Sequence, residues 1–315
     1  MTDNGLPLQF GIDIDPRVRP VAEIAAVAKL AEGSGLDFLS VQDHPYRPDF
    51  LDAWTLIAFL AARTERIRFL PNVANVALRP PAMLAKAAAS LDILTSGRVE
   101  LGIGTGGYPD AATGMGGRPL AGAAGIAAAK DAIRVIRRTW NDQPGPPPAH
   151  PMGIWLGAFR PRMLRVAGLH SDGWVAPANV YLPPALVPGA QRVIDDAARE
   201  AGRDPKEIRR IYNVRDASGR ESREEARQGI IDSPADWAGT LAGWATELGF
   251  DTFVMQTDPS AQQIALLAEE VIPRTRDLVS RKRAEGGGAS ARDSHSSLRR
   301  AGRTDRGGDR RAVAG

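Results

Sequence analysis

An eight-stranded α/β barrel, the (β/α)8 architecture, is the fold class this 315-residue sequence predicts. Three observations carry that expectation. Eight short apolar runs recur along the chain, each followed by a helix-forming segment. The unit from Arg66 to Gly107 reads strand, helix, strand, and a crossover helix makes its two strands parallel. No Gly-x-Gly-x-x-Gly follows the first strand, which weighs against the competing architecture, an open doubly wound sheet.

The elements follow in order. Leu8 to Ile14 alternates Phe10, Ile12 and Ile14, a strand signature. Pro20 to Ala31 has an apolar stripe of Val21, Ile24, Ala25, Ala28 and Ala31, and Gly33-Ser34-Gly35 stops it. Phe38 to Val41 is the second strand, ending in Gln42-Asp43-His44-Pro45. Asp52 caps a helix from Ala53 to Arg63. Ile67 to Leu70 is the third strand. Pro81 to Leu94 is built of strong helix formers, with Met83, Leu84, Ala87, Ala88, Leu91 and Leu94 on one expected face. Pro81 at its start and Gly97 past its end are the usual boundary signals.

Val99 to Ile103 is the fourth strand, and it runs into a loop from Gly104 to Gly125 with eight glycines. Ile126 to Trp140 is a helix, and Asn141 to Pro151 is irregular and Pro-rich. Ile154 to Leu156 and Gly173 to Val175 are strands five and six, with a short helix from Pro161 to Gly168 between them. Pro184 to Ala201 is a helix closed by Gly202. Ile208 to Val214 is strand seven. Ser233-Pro234 opens a helix through Leu248, with Ser as cap and Pro in the first turn. Thr252 to Met255 is strand eight. The last helix runs from Ser260 to Val279, with a kink or break expected at Pro273. The sequence thus divides into a barrel domain, residues 1–280, and an Arg/Gly/Ser-rich tail, residues 281–315, expected to be disordered.

Composition narrows the function. There are no cysteines, so disulfides, thiolate zinc sites, cysteine-ligated clusters and cysteine nucleophiles are excluded together. No apolar stretch is long enough to span a membrane, and the N-terminus lacks a signal-peptide core, which fits a cytoplasmic protein. The net charge of +3 is misleading. The tail carries ten Lys/Arg against four Asp/Glu, leaving the body net acidic by three, which argues against nucleic-acid binding by the barrel.

In such barrels the site lies at the carboxyl ends of the strands. The residues there are Asp13, Asp43 and His44, Asn72, Val73 and Asn75, Thr105 and Gly106, Gly157 to Arg160, Trp174 and Asn179, Arg215, and Gln256. The ring holds a single histidine, no lysine and few paired carboxylates. No metal site and no Schiff-base lysine is expected. Backbone amides, a few polar side chains and apolar surface suit an organic cofactor whose own ring does the chemistry. His44, with an ordinary pKa of about 6.5, is the acid–base candidate, and Asp43 either orients it or caps the next turn. Asp13, Trp174 and Asn179 stand where a substrate pocket is expected. The glycine-rich loop 106–125 and the Pro-rich segment 143–151 are expected to flank the mouth.

Asp43-His44 after strand two, R-I-R-F-L-P-N-V, R-P-P-A-M-L-A-K-A-A-A-S-L-D-I-L-T-S-G-R and L-G-I-G-T-G together resemble the bacterial luciferase-like superfamily. So do G-I-W-L-G-A-F-R-P-R-M-L-R-V-A-G with S-D-G-W, and G-F-D-T-F-V-M. The likeness spans about residues 8–279. It implies a TIM barrel that uses reduced FMN or the deazaflavin F420, as a monooxygenase or a hydride-transfer enzyme. It also implies a non-proline cis peptide at Asn72–Val73 beneath the cofactor ring. Gly104, Thr105 and Gly106 would let backbone approach the cofactor. Gly157, Ala158, Phe159 and Arg160 would meet its phosphate at a helix start. Pairing as a homodimer through barrel helices belongs to the same analogy.

The leading reading is a monooxygenase acting on a small organic substrate with O2 and reduced FMN from a partner reductase. F420-dependent hydride transfer is the alternative, favoured if Arg160, Arg162 and Arg165 receive that cofactor's acidic tail. A non-catalytic flavin-binding protein of the same fold is a third reading, and a nucleic-acid-binding tail a fourth. The short segment from Asp216 to Asp232 suggests an open pocket.

Overall fold

A computed structural model describes residues 3–142, 145–215, 233–256 and 260–285. Among them the strands are β1 (Gln9–Ile14), β2 (Phe38–Val41), β3 (Arg68–Pro71), β4 (Ala74–Asn75), β5 (Leu101–Gly104), β6 (Ile154–Gly157), β7 (Gly173–Ala176), β8 (Arg209–Val214) and β9 (Thr252–Met255). All neighbouring pairs are parallel, in the order β3-β2-β1-β9-β8-β7-β6-β5-β4. The two ends of that order are consecutive in the chain, because β3 and β4 are halves of one interrupted strand. β3 pairs with β2 as far as Val41↔Pro71, and β4 pairs with β5 from Ala74↔Ile103. Lower down, Phe69 N donates to Arg98 O (2.8 Å) and Glu100 N to Phe69 O (2.9 Å), around a Phe69↔Val99 bridge. These bonds close the barrel with eight staves.

Helices cover its outside: α1 (Val21–Gly33), α2 (Ala53–Ala61), α3 (Pro81–Leu94), α4 (Pro109–Gly114), α5 (Gly122–Asn141), α6 (Pro161–His170), α7 (Val187–Glu200), α8 (Pro234–Thr246) and α9 (Ala261–Leu266). Side chains alternate across each strand. One set, including Phe10, Ile12, Leu39, Ile103, Trp174 and Phe253, faces the helices in the main core. The other set points into the barrel, where Phe38, Leu70, Trp155, Val175, Ile211 and Val254 form a separate plug. Higher along the same inward rows the residues turn polar or small: Asp13, Ser40, Asn72, Gly104, Gly157 and Asn213. The plug thus seals the lower barrel and leaves the mouth hydrophilic.

Carboxylates satisfy backbone amides where strands enter from below. Asp37 Oδ2 accepts from Phe10 N at 2.7 Å, Asp172 Oδ2 from Ile154 N at 2.9 Å, and Asp251 Oδ2 from Arg210 N at 2.8 Å. Glu32 Oε1 accepts from three successive amides, Glu65 to Ile67. Buried backbone N–H groups need such partners, and these acidic residues provide them.

Several sequence expectations change. The loop 104–125 contains α4 and the first turn of α5. On α3, Met83 and Leu94 are exposed, and the buried face is Leu84, Ala85, Ala88, Ala89 and Asp92. On α1, Val21 is likewise exposed. The final helix is not broken at Pro273. A π-helical turn, Leu267–Val271, precedes the proline, and the helix resumes over 272–285. A wider turn relieves the clash of the proline ring with the preceding carbonyls. Residues 281–285 are helical, and Arg283 bridges Asp3 (Nη2 to Oδ1 2.8 Å) and Leu6 O (2.9 Å). The rest of the expected tail, 286–315, and the segment 216–232 lie outside the described residues.

The Pro-rich segment before β6 sits at the lower end, not at the mouth. Ala149 N donates to Asp92 Oδ2 at 2.7 Å, and His150 Nδ1 lies 2.9 Å from Asp92 Oδ1. A strand's preceding loop must be at its amino end, so this segment cannot flank the site. Glu100, 3.7 Å from His150 Nε2, and then Asp92 raise the histidine to about 8. A folded-state pKa above the unfolded value stabilises most below about 6.5, and that gain is lost as pH rises through about 8. We expect the thermal midpoint of the protein to fall across pH 6.5–8.5 by an amount equivalent to about 1 kcal/mol, discounted for solvent screening. His150→Gln should remove that part of the pH dependence.

Candidate functional site

A cavity of about 330 Å³ opens at the carboxyl end of the barrel. It gathers segments from six parts of the chain: Asp43, His44 and Tyr46; Asn72, Val73 and Asn75; Gly104 to Gly107; Gly157 to Phe159; Val175 to Pro177; and Asn213. Of the sequence-derived candidates, Asp43, His44, Asn72, Val73, Gly104, Thr105, Gly106, Gly157, Ala158 and Phe159 all line it.

The interrupted strand shapes the floor. The Asn72–Val73 peptide is cis, as the resemblance implies. Val73 packs against the barrel plug. A Cβ on Gly104 would lie 2.6 Å from Val73 Cγ2, and one on Gly157 3.0 Å from the same atom. A Cβ on Gly102 would meet Pro71 O at 2.3 Å. Glycine at these three inward positions is what lets the bulge enter the barrel. Gly106 has φ +83°, the left-handed region that glycine adopts freely. Two walls of the cavity are consequently bare backbone.

A hydrogen-bonded polar layer runs from the cavity-lining Asn72 and Asn213. Asn72 Nδ2 donates to Asn213 Oδ1 (2.7 Å), which also accepts from Gln256 Nε2 (3.3 Å), and Asn213 Nδ2 donates to Ala176 O (2.8 Å). Asp13 continues the layer through Ser40 Oγ and Gln42 Nε2 (2.6 Å). Burial raises the Asp13 carboxyl to about 6, against the opposing pull of those two donors.

His44 stands at the rim among aromatic rings. Its Nδ1 is 2.6 Å from the Tyr46 hydroxyl, and the rings of Tyr46, Tyr108 and Phe50 lie 5.5, 6.0 and 6.3 Å away. Burial holds the imidazole below its ordinary pKa, with Asp43 opposing and Arg47 assisting. The shift favours the neutral ring. Asp43 does not hydrogen-bond to this ring. Its carboxylate takes a fork from Arg79 (Nε to Oδ2 and Nη2 to Oδ1, both 2.7 Å) and the amide of Asn75 (2.9 Å). Asp43 fills neither role the sequence left open: it neither orients His44 nor caps the turn after it, but ties the end of β2 to the Asn75 amide and to Arg79.

Several sequence candidates lie elsewhere. Trp174 is on the outward row of β7, fully buried against the helices, with Nε1 donating to Ala158 O at 2.8 Å. Strand parity sends Val175 into the barrel in its place. Asp13 is buried and does not line the cavity. Asn179 folds over the β7 end and accepts from Arg215 N at 2.9 Å. Arg160 is exposed outside the cavity, its guanidinium 5.1 Å from the Phe159 ring centroid. Arg165 pairs with Glu200 on α7, away from the mouth. The Ala158 amide is not free, since it donates to Val175 O at 3.3 Å. Tyr46, Asn213 and the stretch Val175 to Pro177 line the cavity but escaped sequence reading. Asn213 is a lone polar residue in the apolar run Ile211 to Val214, a pattern that signals an inward polar position. Tyr46 is two residues past His44, where no motif marks it.

The Asp43–Arg79 pair is a buried charge with one partly exposed partner, and removing that partner strands the carboxylate. Arg79→Met should destabilise the fold by about 3 kcal/mol in urea unfolding. Adding Asp43→Asn should recover part of the loss, and an additive double variant would contradict this account.

Comparison with known proteins agrees with this architecture. A family model described as luciferase-like monooxygenase matches residues 5–312. The phthiodiolone/phenolphthiodiolone dimycocerosates ketoreductase of Mycobacterium bovis (strain BCG) is 29% identical over 221 residues, 63% of this chain and 55% of that protein. The Mycobacterium kansasii protein of the same name is 30% identical over 204 residues, 57% of this chain and 53% of its own length. The chain thus spans about half the length of the curated relatives it matches. Among solved structures, an F420-dependent secondary alcohol dehydrogenase bound to an F420-acetone adduct superposes with TM-score 0.69 at 18% identity, covering 86% of this chain and 99% of the other. The FMN-bound oxygenating constituent of 3,6-diketocamphane monooxygenase from Pseudomonas putida gives 0.67 at 18%, covering 85% and 99%. These two share the fold. With the family model matched along nearly its whole length, the chain belongs to the luciferase-like monooxygenase family.

Proposed function

We propose that this protein is an oxidoreductase working through the redox ring of a flavin or deazaflavin held in the barrel-mouth cavity, and that its activity is F420-dependent hydride transfer with a small carbonyl or alcohol substrate. The observation that carries the reading is the cavity itself: bare backbone on two walls, the Asn72–Val73 bulge as floor, and one neutral imidazole at the rim. A planar ring would lie beside glycines 104, 106 and 157, where a Cβ would come within 3.2 Å of Val73 or Asn75. The ketoreductase relatives and the F420-dependent alcohol dehydrogenase support hydride transfer over the monooxygenation that sequence alone favoured. FMN-dependent monooxygenation with a partner reductase is the second reading, supported by the family description and the FMN-bound structural neighbour.

When bound, the ring supplies or takes the hydride. The chain's own residues do the rest. Asn72 and Val73 support the ring, and the hydrogen bonds from Asn72 to Asn213 keep that support from shifting. At the start of α6, Pro161 has no N–H and Met163 N donates to Arg160 O, which leaves the Arg160 and Arg162 amides to meet a phosphate. In ketone reduction His44 Nε2–H would hydrogen-bond the substrate oxygen, and the proton that oxygen takes up as the hydride arrives at carbon would be made good from solvent. Val175 and the aromatic rim reduce water access, which strengthens hydrogen bonding inside.

Fluorescence titration with F420 and with FMN tests the reading. F420 should bind with Kd on the order of micromolar, and FMN about tenfold or more weaker. His44→Ala should keep F420 affinity within about threefold while ketone or alcohol turnover falls about 100-fold. Tight FMN binding with reductase-dependent O2 uptake would move the assignment to the second reading. Cofactor binding with no turnover over a broad substrate panel would leave a non-catalytic binder, and failure of both cofactors below millimolar would end the proposal.

A further inference from the structure

We propose that Tyr46 is a positioning residue: its hydroxyl donates to Nδ1 of His44 and fixes the ring as the Nε2–H tautomer, so the ligand oxygen facing His44 in the resting protein is a hydrogen-bond acceptor, such as a ketone carbonyl. The assignment of tautomer stands on the protein's own geometry, while the class of ligand rests on the oxidoreductase reading above.

The Tyr46 Oη to His44 Nδ1 distance is 2.6 Å, a short bond that one proton must occupy. A neutral imidazole has one donor and one acceptor nitrogen, and the partner of one fixes the other. Burial pushes the Tyr46 phenol up to about 12, so it keeps its proton, and among the described residues it has no other acceptor. The carboxylate best placed by sequence to take an Nδ1–H is Asp43, and Arg79 and the Asn75 amide engage it instead. Among the described residues nothing hydrogen-bonds Nε2. Tyr108 meets the His44 ring edge-on and Tyr46 at 5.8 Å, so both partners of the bond are held by a third ring. The hydrogen left for a ligand is therefore Nε2–H, a donor aimed at a lone pair.

The experiment is 15N NMR of the full chain with labelled histidine at pH 7.5. The four histidines are distinguished by a His44→Gln variant. In the wild type without cofactor, His44 should show a protonated Nε2 and an unprotonated Nδ1 whose resonance is displaced by an accepted hydrogen bond. In Tyr46→Phe that Nδ1 resonance should move toward the position of an unbonded ring nitrogen. A wild-type spectrum with the proton on Nδ1 overturns the proposal, and so does an unchanged Nδ1 resonance in the variant. If Tyr46→Phe fails to fold, the wild-type spectrum alone decides. In the F420-loaded protein the variant should lower kcat for ketone reduction about tenfold or more and leave the cofactor Kd within about twofold; an unchanged kcat overturns the positioning role. Failure of both cofactors to bind removes the oxidoreductase reading and leaves the spectrum valid, whereas an Nδ1–H spectrum with normal F420 binding removes this inference alone.

Discussion

The packing of Val73 against inward glycines is the constraint on which the rest of the structure depends. A strand that must pair with β2 below and with β5 above changes partners between Pro71 and Ala74. The change turns a valine into the barrel at the height where the site begins. Gly102, Gly104 and Gly157 leave room for it, and any Cβ at the first two would approach within 2.6 Å of a fixed atom. The same turn brings Asn72 over to Asn213 on the far side of the barrel. Closure of the cylinder, the floor of the cavity and its bare walls are therefore consequences of one local packing problem.

Charge is distributed differently at the two ends of the barrel. At the lower end Glu32, Asp37, Asp92, Asp172 and Asp251 accept from the amides of entering chain, so their charge supports architecture. At the mouth the carboxylates are neutralised or withdrawn: Asp43 by Arg79, Asp13 by burial. An imidazole next to a free carboxylate would be drawn toward protonation. With Asp43 engaged, burial prevails and His44 stays neutral. Among the described residues the mouth thus keeps one imidazole among rings and backbone, an arrangement suited to assisting a redox ring rather than to binding a highly charged substrate directly.

Much of this was legible in the sequence. The alternation of Phe10, Ile12 and Ile14, the cap at Asp52 and the boundaries of Pro81–Leu94 are local signals, and each element formed where its residues direct. Strand ends located most cavity residues because a parallel barrel puts them all at one end. What failed was information that depends on partners. Trp174 and Val175 are equally apolar, and only the register of β7 decides which enters the barrel. Met83 and Leu94 fit a helical stripe, yet the small residues Ala85 and Ala88 let α5 pack closely and claimed the buried face of α3. Pro273 carries a break signal, but the π turn at Leu267–Val271 absorbs it. Tyr46 could not be found by motif, because its importance lies in reaching back two residues to His44.

The claim that a planar cofactor rests on the Val73 bulge is tested most directly by hydrogen–deuterium exchange with and without saturating F420 or FMN. The account predicts that the cofactor that binds slows exchange together at residues 73–75, 104–107 and 159–160, three stretches far apart in sequence. Saturation by either cofactor with those amides unchanged, or with protection confined to another face of the barrel, would contradict it.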